Sequence, residues 1–287
     1  MVTETTAKSI HTLIEDIYRV LKEGVELSDA QADEFGKRMG KLIQSRLSKK
    51  EERKGTLRLS NLGKKDRQLW YEVHDYPKEE FTGSTFLKFL YGDIIEELVL
   101  FLAEAAGHGV EGRQGQVNVD GIIGHRDAII DGLLVDVKST SSYSFKKFKD
   151  GTLKDDDPFG YLTQLSGYIA DPEYDRDHGA FLAVDKQNGT LALLHVPDSE
   201  LPDVAGRVAH LKEVVKQEDP PPRCFEPEPM GKSGNMKLSA GCGYCPFKVT
   251  CWSDANDGQG LRKFIYSTGP VWLTHVVDPP KVMEIEP

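Results

Sequence analysis

Two short apolar-rich runs joined by Asp131-Gly132 constrain this chain more than any other stretch of its sequence. The segment runs GHRDAIIDGLLVDVK from Gly124 to Lys138. An Asp-Gly pair between two such runs predicts a two-residue type I′ turn, because both central residues of that turn need a positive φ angle. We therefore expect a tight β-hairpin here.

A two-residue turn also fixes which residues of the hairpin lie opposite each other. Asp127 is predicted to lie directly opposite Asp136, and His125 opposite Lys138. Because side chains alternate between the two faces of a strand, these four side chains are expected to share one face.

Two aspartates facing each other indicate a bound cation. Directly opposed Cβ atoms lie about 5 Å apart, and like charges at that distance are destabilising unless a positive charge lies between them. Oxygen-rich sites with few carboxylates suit Mg²⁺ or Mn²⁺. Lys138 would then orient or deprotonate the attacking water during phosphodiester hydrolysis. The alternative is a surface hairpin with solvated acids and a lysine.

The pattern Asp127, eight intervening residues, then Asp136-Val137-Lys138 resembles the PD-(D/E)XK nuclease superfamily. Within it, the chain is similar to the RecB-like, lambda-exonuclease-like branch, which includes phage exonucleases, exonuclease V and the iron–sulfur CRISPR adaptation nucleases. The resemblance implies a restriction-endonuclease-like α/β fold, an α+β mixed sheet flanked by helices. It also implies Mg²⁺ or Mn²⁺ held by the two aspartates, with the backbone carbonyl of Val137 as an extra ligand.

A strongly apolar segment from Phe86 to Ala106 predicts a helix that ends at Gly107. Acids in such a run rarely lie buried without a partner, so one of its acids is expected to face a cation. The RecB-like branch has a Gly-x-x-x-Glu element here, which selects Glu96 as a catalytic and metal-binding residue. The helical pattern alone does not separate Glu96 from Glu97, and exposure of both remains the alternative.

A second element of the resemblance follows the hairpin. Asp157 as N-cap and Pro158 at the first helical position predict a helix that continues to Ala170. This helix contains Gln164 and Tyr168, which match the Gln-x-x-x-Tyr element of RecB-like nucleases. The resemblance assigns both residues to DNA binding near the cleaved bond.

Further strands and one helix complete the predicted core. Alternating residues from Gln114 to Val119 predict a strand that joins the hairpin in a three-stranded antiparallel start to the sheet. Strands are also predicted at Gly179–Asp185 and Leu191–Val196, and a helix at Ser199–Gln217. This order fits a mixed sheet flanked by helices.

The segment from Thr56 to Tyr71 resembles the entry segment of RecB-like nucleases. By that resemblance Arg67 would contact a DNA phosphate, such as the 5′-phosphate at an end, and a planar guanidinium suits phosphate oxygens. A surface ion pair is the alternative. The iron–sulfur members carry a cysteine in this segment, whereas this chain has Lys65-Asp66.

The N-terminal part is predicted to be helical to about Arg53, with Ser28 as an N-cap. Between Lys37 and Arg67 there are twelve Lys and Arg residues and three acids, a local charge of +9 in a chain of net charge −10. This basic segment predicts a phosphate-binding face, although a solvated helix side has the same pattern.

All four cysteines lie in the last quarter of the chain, at Cys224, Cys242, Cys245 and Cys251. Their spacing, with one C-x-x-C pair, predicts a structural metal site rather than a disulfide framework. The C-x₂-C-x₅-C triplet resembles that of the iron–sulfur nucleases and favours a 4Fe–4S cluster. Zn²⁺ remains the alternative, because Cys224 would have to replace the upstream ligand of those relatives.

These patterns predict a helical cap with a basic segment at 1–55, a nuclease core at 56–218 and a cysteine module with a tail at 219–287. The absence of a secretory leader and of an apolar run of about 18 residues predicts a cytoplasmic protein.

The predicted function is metal-dependent DNA exonuclease activity in recombination, repair or phage replication, with a possible recombination or replication partner protein. The alternatives are a structure-selective or single-strand-selective DNA endonuclease, and a non-catalytic DNA-binding or assembly protein. Cleavage polarity, strand preference and oligomeric state are not specified by the sequence.

Overall fold

The computed structural model describes residues 8–48 and 55–286. Part of the predicted basic segment, including Lys49, Lys50, Arg53 and Lys54, lies outside these ranges. The described residues form two compact units, one of 8–48, 58–63 and 82–208 and the other of 55–57, 64–81 and 209–286. This division follows different boundaries from those proposed from the sequence.

The fold is mixed α/β. Its helices are α1 Leu13–Glu23, α2 Asp29–Leu47, α3 Asp66–Val73, α4 Gly83–Ala105, α5 Ser142–Lys149, α6 Tyr161–Ile169, α7 Val204–Val214, α8 Ala240–Gly243 and α9 Lys248–Cys251. Its strands are β1 Val110–Glu111, β2 Gly115–Val119, β3 Ile122–Arg126, β4 Ala128–Ile130, β5 Leu133–Thr140, β6 Gly179–Asp185, β7 Leu191–Val196, β8 Glu228–Pro229, β9 Met236–Lys237, β10 Arg262–Tyr266, β11 Gly269–His275 and β12 Met283–Ile285.

The sheet of the first unit is mixed. Within the described part of the chain its strand order is β1-β4-β5-β6-β7, and β5 and β6 pair in parallel while the other neighbours are antiparallel. A central strand with neighbours on both sides and helices over its faces is buried along most of its length, as β5 is. This burial places any charged residue of β5 in an environment with little water.

The predicted hairpin is confirmed. Asp131 and Gly132 both have positive φ, 49° and 78°, as a type I′ turn requires. Strands β4 and β5 pair in the predicted register, with Ile130 opposite Leu133 and Ala128 opposite Val135.

The register beyond this hairpin differs from the prediction. The ladder breaks at Asp127, and β3 turns away to form a separate two-stranded sheet with β2, in which His125 lies opposite Gln116. The predicted pairing of His125 with Lys138 is therefore wrong, as is the three-stranded antiparallel start to the sheet. The physical reason is that the Asp127 carboxylate accepts the Val137 N–H at 2.8 Å and takes the place of a backbone partner.

The N-terminal helices belong to the first unit. Ser28 is the N-cap of α2 as predicted, in a capping box with Gln31. In α1, Leu13 and Ile17 are fully buried in the same apolar cluster as the inner residues of α4 and of the sheet. Deep burial of two large aliphatic side chains makes α1 part of the hydrophobic core.

Two helices begin later in the sequence than predicted. Helix α6 begins at Tyr161, because Gly160 adopts a left-handed conformation with φ 72° and interrupts the helix expected from Pro158. The Asp157 carboxylate still accepts the first N–H groups of α6, from Tyr161 and Leu162 at 3.0 and 2.9 Å. Helix α7 begins at Val204 instead of Ser199, shortly after Pro202.

The second unit contains a small antiparallel sheet in the order β12-β10-β11-β9-β8 among the described residues. Its apolar side chains form two small clusters. One consists of Trp70, Tyr71, Val214 and Phe247, and the other of Leu238, Trp252, Ala255 and Leu261. A helix long and apolar enough to cross a membrane is not found in the described ranges.

Candidate active site

Strand β5 carries two of the candidate catalytic residues. Residues two apart on a strand point to the same face, and Asp136 and Lys138 form a close ion pair, with 2.5 Å between Oδ2 and Nζ. Asp136 is 1% exposed. A buried carboxylate and a buried ammonium at this distance stabilise each other's charged forms.

Asp127 is held beside this pair by the break between β3 and β4. Its Oδ2 accepts the Val137 N–H, and its backbone carbonyl accepts the N–H of Gln114 at 3.1 Å. The two aspartates therefore lie on neighbouring segments on either side of the hairpin. The Val137 carbonyl, predicted as an extra metal ligand, belongs to the same stretch of β5.

The third carboxylate, Glu96, comes from the middle of α4. Its Oε1 accepts a hydrogen bond from Gln114 Nε2 at 2.8 Å. Glu97 instead pairs with Arg38 at 2.7 Å and with Arg113 at 3.4 Å. The two neighbouring acids therefore have different partners, and Glu96 is the one that interacts electrostatically with the aspartates.

Burial raises the proton affinity of all three carboxyls, and neighbouring carboxylate charges raise it further for Glu96 and Asp127. Burial, followed by the charge of Asp136, raises the pKa of Glu96 to about 7. Burial and the charges of Asp136 and Glu96 raise the pKa of Asp127 well above its usual value. Burial also raises the pKa of Asp136. Like charges crowded in a dry site are costly, and a cation among them removes that cost.

The residues fit a divalent cation by the chemistry of their donors. Asp136 Oδ2 is bound by the Lys138 ammonium, whereas Asp136 Oδ1 is buried without a hydrogen-bond partner. Buried polar atoms in native proteins nearly always have a partner, so the unpaired Oδ1 indicates a missing ligand. The side chains as they stand do not surround a common point: across the described residues, no group of three or more His, Cys, Asp or Glu side chains is already arranged around a metal. Binding would draw Glu96 and Asp127 toward Asp136.

A chain of polar contacts connects Lys138 to α6. Lys138 Nζ donates to Gln164 Oε1 at 3.0 Å, and Gln164 Nε2 donates to the Tyr168 hydroxyl at 2.9 Å. Lys138 Nζ also lies 4.7 Å from the centre of the Tyr161 ring. Burial lowers the pKa of Lys138, but Asp136 and Asp127 outweigh it and the net shift is upward. Lys138 is accordingly an ammonium with its donors directed by three fixed neighbours.

The other two predicted substrate-binding residues have different partners. His125 is exposed and pairs with Gln116 in the small sheet. Arg67 belongs to the second unit, where its Nε donates to Cys251 Sγ at 3.2 Å and its Nη2 to the Tyr71 hydroxyl at 2.9 Å. The structure therefore connects Gln164 and Tyr168 to Lys138, whereas His125 has a strand partner in the small sheet.

Sequence reasoning missed Gln114 and the role of Tyr161. Gln114 contacts the site twice, through its N–H to Asp127 and its side chain to Glu96, and has a left-handed φ of 51°. Strained residues of this kind are concentrated at functional sites, but no local sequence pattern predicts the left-handed conformation of Gln114. Tyr161 shares a helical stripe with Gln164 and Tyr168, and that spacing was the available signal.

The four cysteines lie in the second unit as half-buried free thiols. Burial raises the pKa values of Cys224, Cys242 and Cys245, and the charge of Cys251 acts on all three in the same direction. Thiolates are soft donors of the kind that Zn²⁺ and iron–sulfur clusters prefer, but across the described residues no three of these side chains are arranged around one point.

Comparison with known proteins gives no family for this chain. No family model matches it, and no curated protein sequence matches it. The crystal structure of SSO0001 matches over 74% of this chain and 93% of its own, with 19% sequence identity and a TM-score of 0.39. A phage-related exonuclease from Haemophilus somnus 129PT matches over 56% and 93%, with 15% identity and a TM-score of 0.40.

Proposed function

We propose that this chain is a DNA nuclease that hydrolyses phosphodiester bonds with the help of Mg²⁺ or Mn²⁺. The observation that carries the proposal is the group of Glu96, Asp127, Asp136 and Lys138, in which the buried Asp136 pairs with Lys138 through one carboxylate oxygen and has no hydrogen-bond partner at the other. Hard oxygen donors of this kind suit Mg²⁺ and Mn²⁺ rather than softer metals.

Each residue has a distinct task in this proposal. Glu96, Asp127 and Asp136 would hold the cation, with the Val137 carbonyl as a further ligand. When bound, the cation would make water a stronger nucleophile and stabilise the negative charge that develops on the phosphate. Lys138 would donate from its ammonium to the attacking water or to a phosphate oxygen.

The groups around Lys138 support a positioning role. Gln164 accepts from Lys138 and Tyr161 covers one side of the ammonium, so Lys138 has few alternative orientations. Catalytic groups held by fixed neighbours need no reorganisation when the reaction occurs. Gln164 and Tyr168 would in addition contact the DNA strand at the cleaved bond.

Exonuclease action is the form we favour, and the resemblance to enzymes that work from DNA ends is its support. Structure-selective or single-strand-selective endonuclease action is the nearest alternative, since the same four residues serve either mode. The cellular process would be recombination, repair or phage replication, with a recombination or replication protein as a possible partner. The cysteine module would hold 4Fe–4S or Zn²⁺ and stabilise the second unit without taking part in hydrolysis.

The experiment is degradation of end-labelled linear and circular DNA, single-stranded and double-stranded, by the purified full chain. With Mg²⁺ or Mn²⁺ we expect linear DNA to release nucleotides from an end while covalently closed circles survive; with EDTA no product is expected. Cleavage of circular DNA would show that the enzyme is an endonuclease instead of an exonuclease. If the protein binds DNA but cleaves it under no metal condition, it is a non-catalytic DNA-binding protein.

A further inference from the structure

An exposed aromatic side chain, Phe159, lies next to the proposed reaction centre. Its ring is stacked on that of Tyr161, with 5.5 Å between ring centres and 29° between ring planes. The centre of the Tyr161 ring is in turn 4.7 Å from Lys138 Nζ. The two distances place the centre of the Phe159 ring no more than about 10 Å from the Lys138 ammonium.

The Phe159 ring is not covered by the fold. It is 53% exposed, although Tyr161 beside it is half-buried and packs toward the buried rings of Phe148 and Phe181. A row of aromatic rings therefore runs from the core to solvent and ends at Phe159. An exposed phenyl ring contributes little to the folding stability of the protein, and it offers a flat apolar face to a ligand.

The backbone on both sides of Phe159 is fixed, so its exposure is not that of a loose loop tip. Gly160 packs against Gly63 so closely that a Cβ atom on Gly160 would meet the Gly63 Cα. On the other side, the Asp157 carboxylate accepts two N–H groups of α6. A ring held in advance loses little conformational entropy when a flat partner stacks on it.

The charges around Phe159 favour stacking over phosphate attraction. Asp155 and Asp156 are exposed in the preceding turn, and the nearby Lys147 ammonium already pairs with Asp156 at 2.5 Å. These three groups offer an anion no unpaired positive charge, whereas the exposed ring offers a flat apolar face. The ligand that fits the ring is an aromatic group, and every nucleobase has a π-face.

We propose that Phe159 stacks on the nucleobase next to the bond that is cleaved and so makes unpaired DNA the favoured substrate. The inference rests on the proposed nuclease function, because the base is placed by its distance from Lys138. A base within a duplex is already stacked between its neighbours, whereas a base in a single strand or at a frayed end can leave the stack at low cost. Phe159 would thus be a substrate-binding residue that selects single-stranded DNA.

The test measures the binding of a short single-stranded oligonucleotide by fluorescence anisotropy in EDTA, where no hydrolysis occurs. Phe159→Ala is expected to raise Kd about tenfold, and Phe159→Trp to keep it near the wild-type value, because one base stacked on one ring contributes an effect of about this size. Tyr244→Ala is the matched control: Tyr244 is an aromatic residue of the second unit that is 88% exposed. Its Kd is expected to match the wild type.

A second arm identifies the base. Replacing single nucleotides of the oligonucleotide by abasic sites should raise Kd for the wild type at one position by the same factor, and should have no effect there on Phe159→Ala. Equal Kd values for wild type and Phe159→Ala would overturn the inference, as would an equal loss on duplex DNA. Binding that depends on Phe159 in a protein that cleaves nothing would uphold the stacking site and refute the nuclease function.

Discussion

Replacing Asp136 by asparagine is expected to abolish metal-dependent DNA hydrolysis, with a fall in rate of about 10³-fold or more. Asparagine keeps the size of the side chain but removes the charge that would bind the cation and that pairs with Lys138 at 2.5 Å. Loss of one electrostatic group at a reaction centre has effects of this order. The measurement is the initial rate of nucleotide release from labelled linear DNA in Mg²⁺.

Two further variants serve as a matched pair for this prediction. Glu96→Gln is expected to lose most of the activity, because Glu96 interacts with Asp136, whereas Glu97→Gln is expected to retain it, because Glu97 pairs with Arg38 and Arg113. All three variants should bind DNA in EDTA as the wild type does. An Asp136→Asn protein that cleaves at the wild-type rate would remove this residue from the mechanism.

Replacing Cys251 by serine is expected to abolish binding of the metal proposed for the second unit and to unfold that unit. Cys251 packs against both small apolar clusters, while Cys245 packs against one and Cys242 against the other. Cores this small need an additional constraint, and a structural metal contributes on the order of 10 kcal/mol to the folding of such modules. A metal joining the four sulfurs would connect the two clusters directly.

The measurement combines metal analysis, the visible spectrum and calorimetry of anaerobically purified protein. Wild type should contain either zinc, without colour, or iron and sulfide, with broad absorbance at about 400 nm, and Cys251→Ser should contain neither and lose one melting transition. Tyr244→Phe, a change between Cys242 and Cys245 at an exposed residue, is the control. A wild-type protein without bound metal and with the same melting curve as Cys251→Ser would contradict the structural metal site.

The sequence predicted the hairpin correctly because its determinants are local. An Asp-Gly turn fixes its own φ angles and the first three residue pairs on either side. The prediction failed at Asp127, where a side-chain contact decides the path of the chain. The carboxylate of Asp127 takes the N–H of Val137, and β3 is then free to pair with β2 instead.

The choice between Glu96 and Glu97 shows a similar limit. Both faces of α4 are apolar, so the helical pattern did not say which acid meets the sheet. That depends on how α4 crosses β5 and on Arg38, which comes from a distant part of the chain and binds Glu97. Gln114 was missed for the same reason, since its contacts with Glu96 and Asp127 join three separate segments.

The start of α6 was misplaced because two signals compete there. Asp157-Pro158 is a strong helix start, yet Gly160 packs against Gly63 in a left-handed conformation that a helix does not permit. The close contact with Gly63, which is distant in the sequence, favours the later helix start. The helical stripe predicted for Tyr161, Gln164 and Tyr168 is retained, because all three residues lie within the observed helix.

Anomalous diffraction from crystals soaked in Mn²⁺ tests the central claim most directly, because it locates the cation without any assumption about activity. We predict a peak bonded to the carboxylates of Asp127 and Asp136, at about 2.2 Å as expected for Mn²⁺ and oxygen ligands, with Glu96 in the same coordination shell and the peak absent in Asp136→Asn. Fully occupied Mn²⁺ elsewhere, with these three carboxyls still apart and Lys138 still paired to Asp136, would contradict the account.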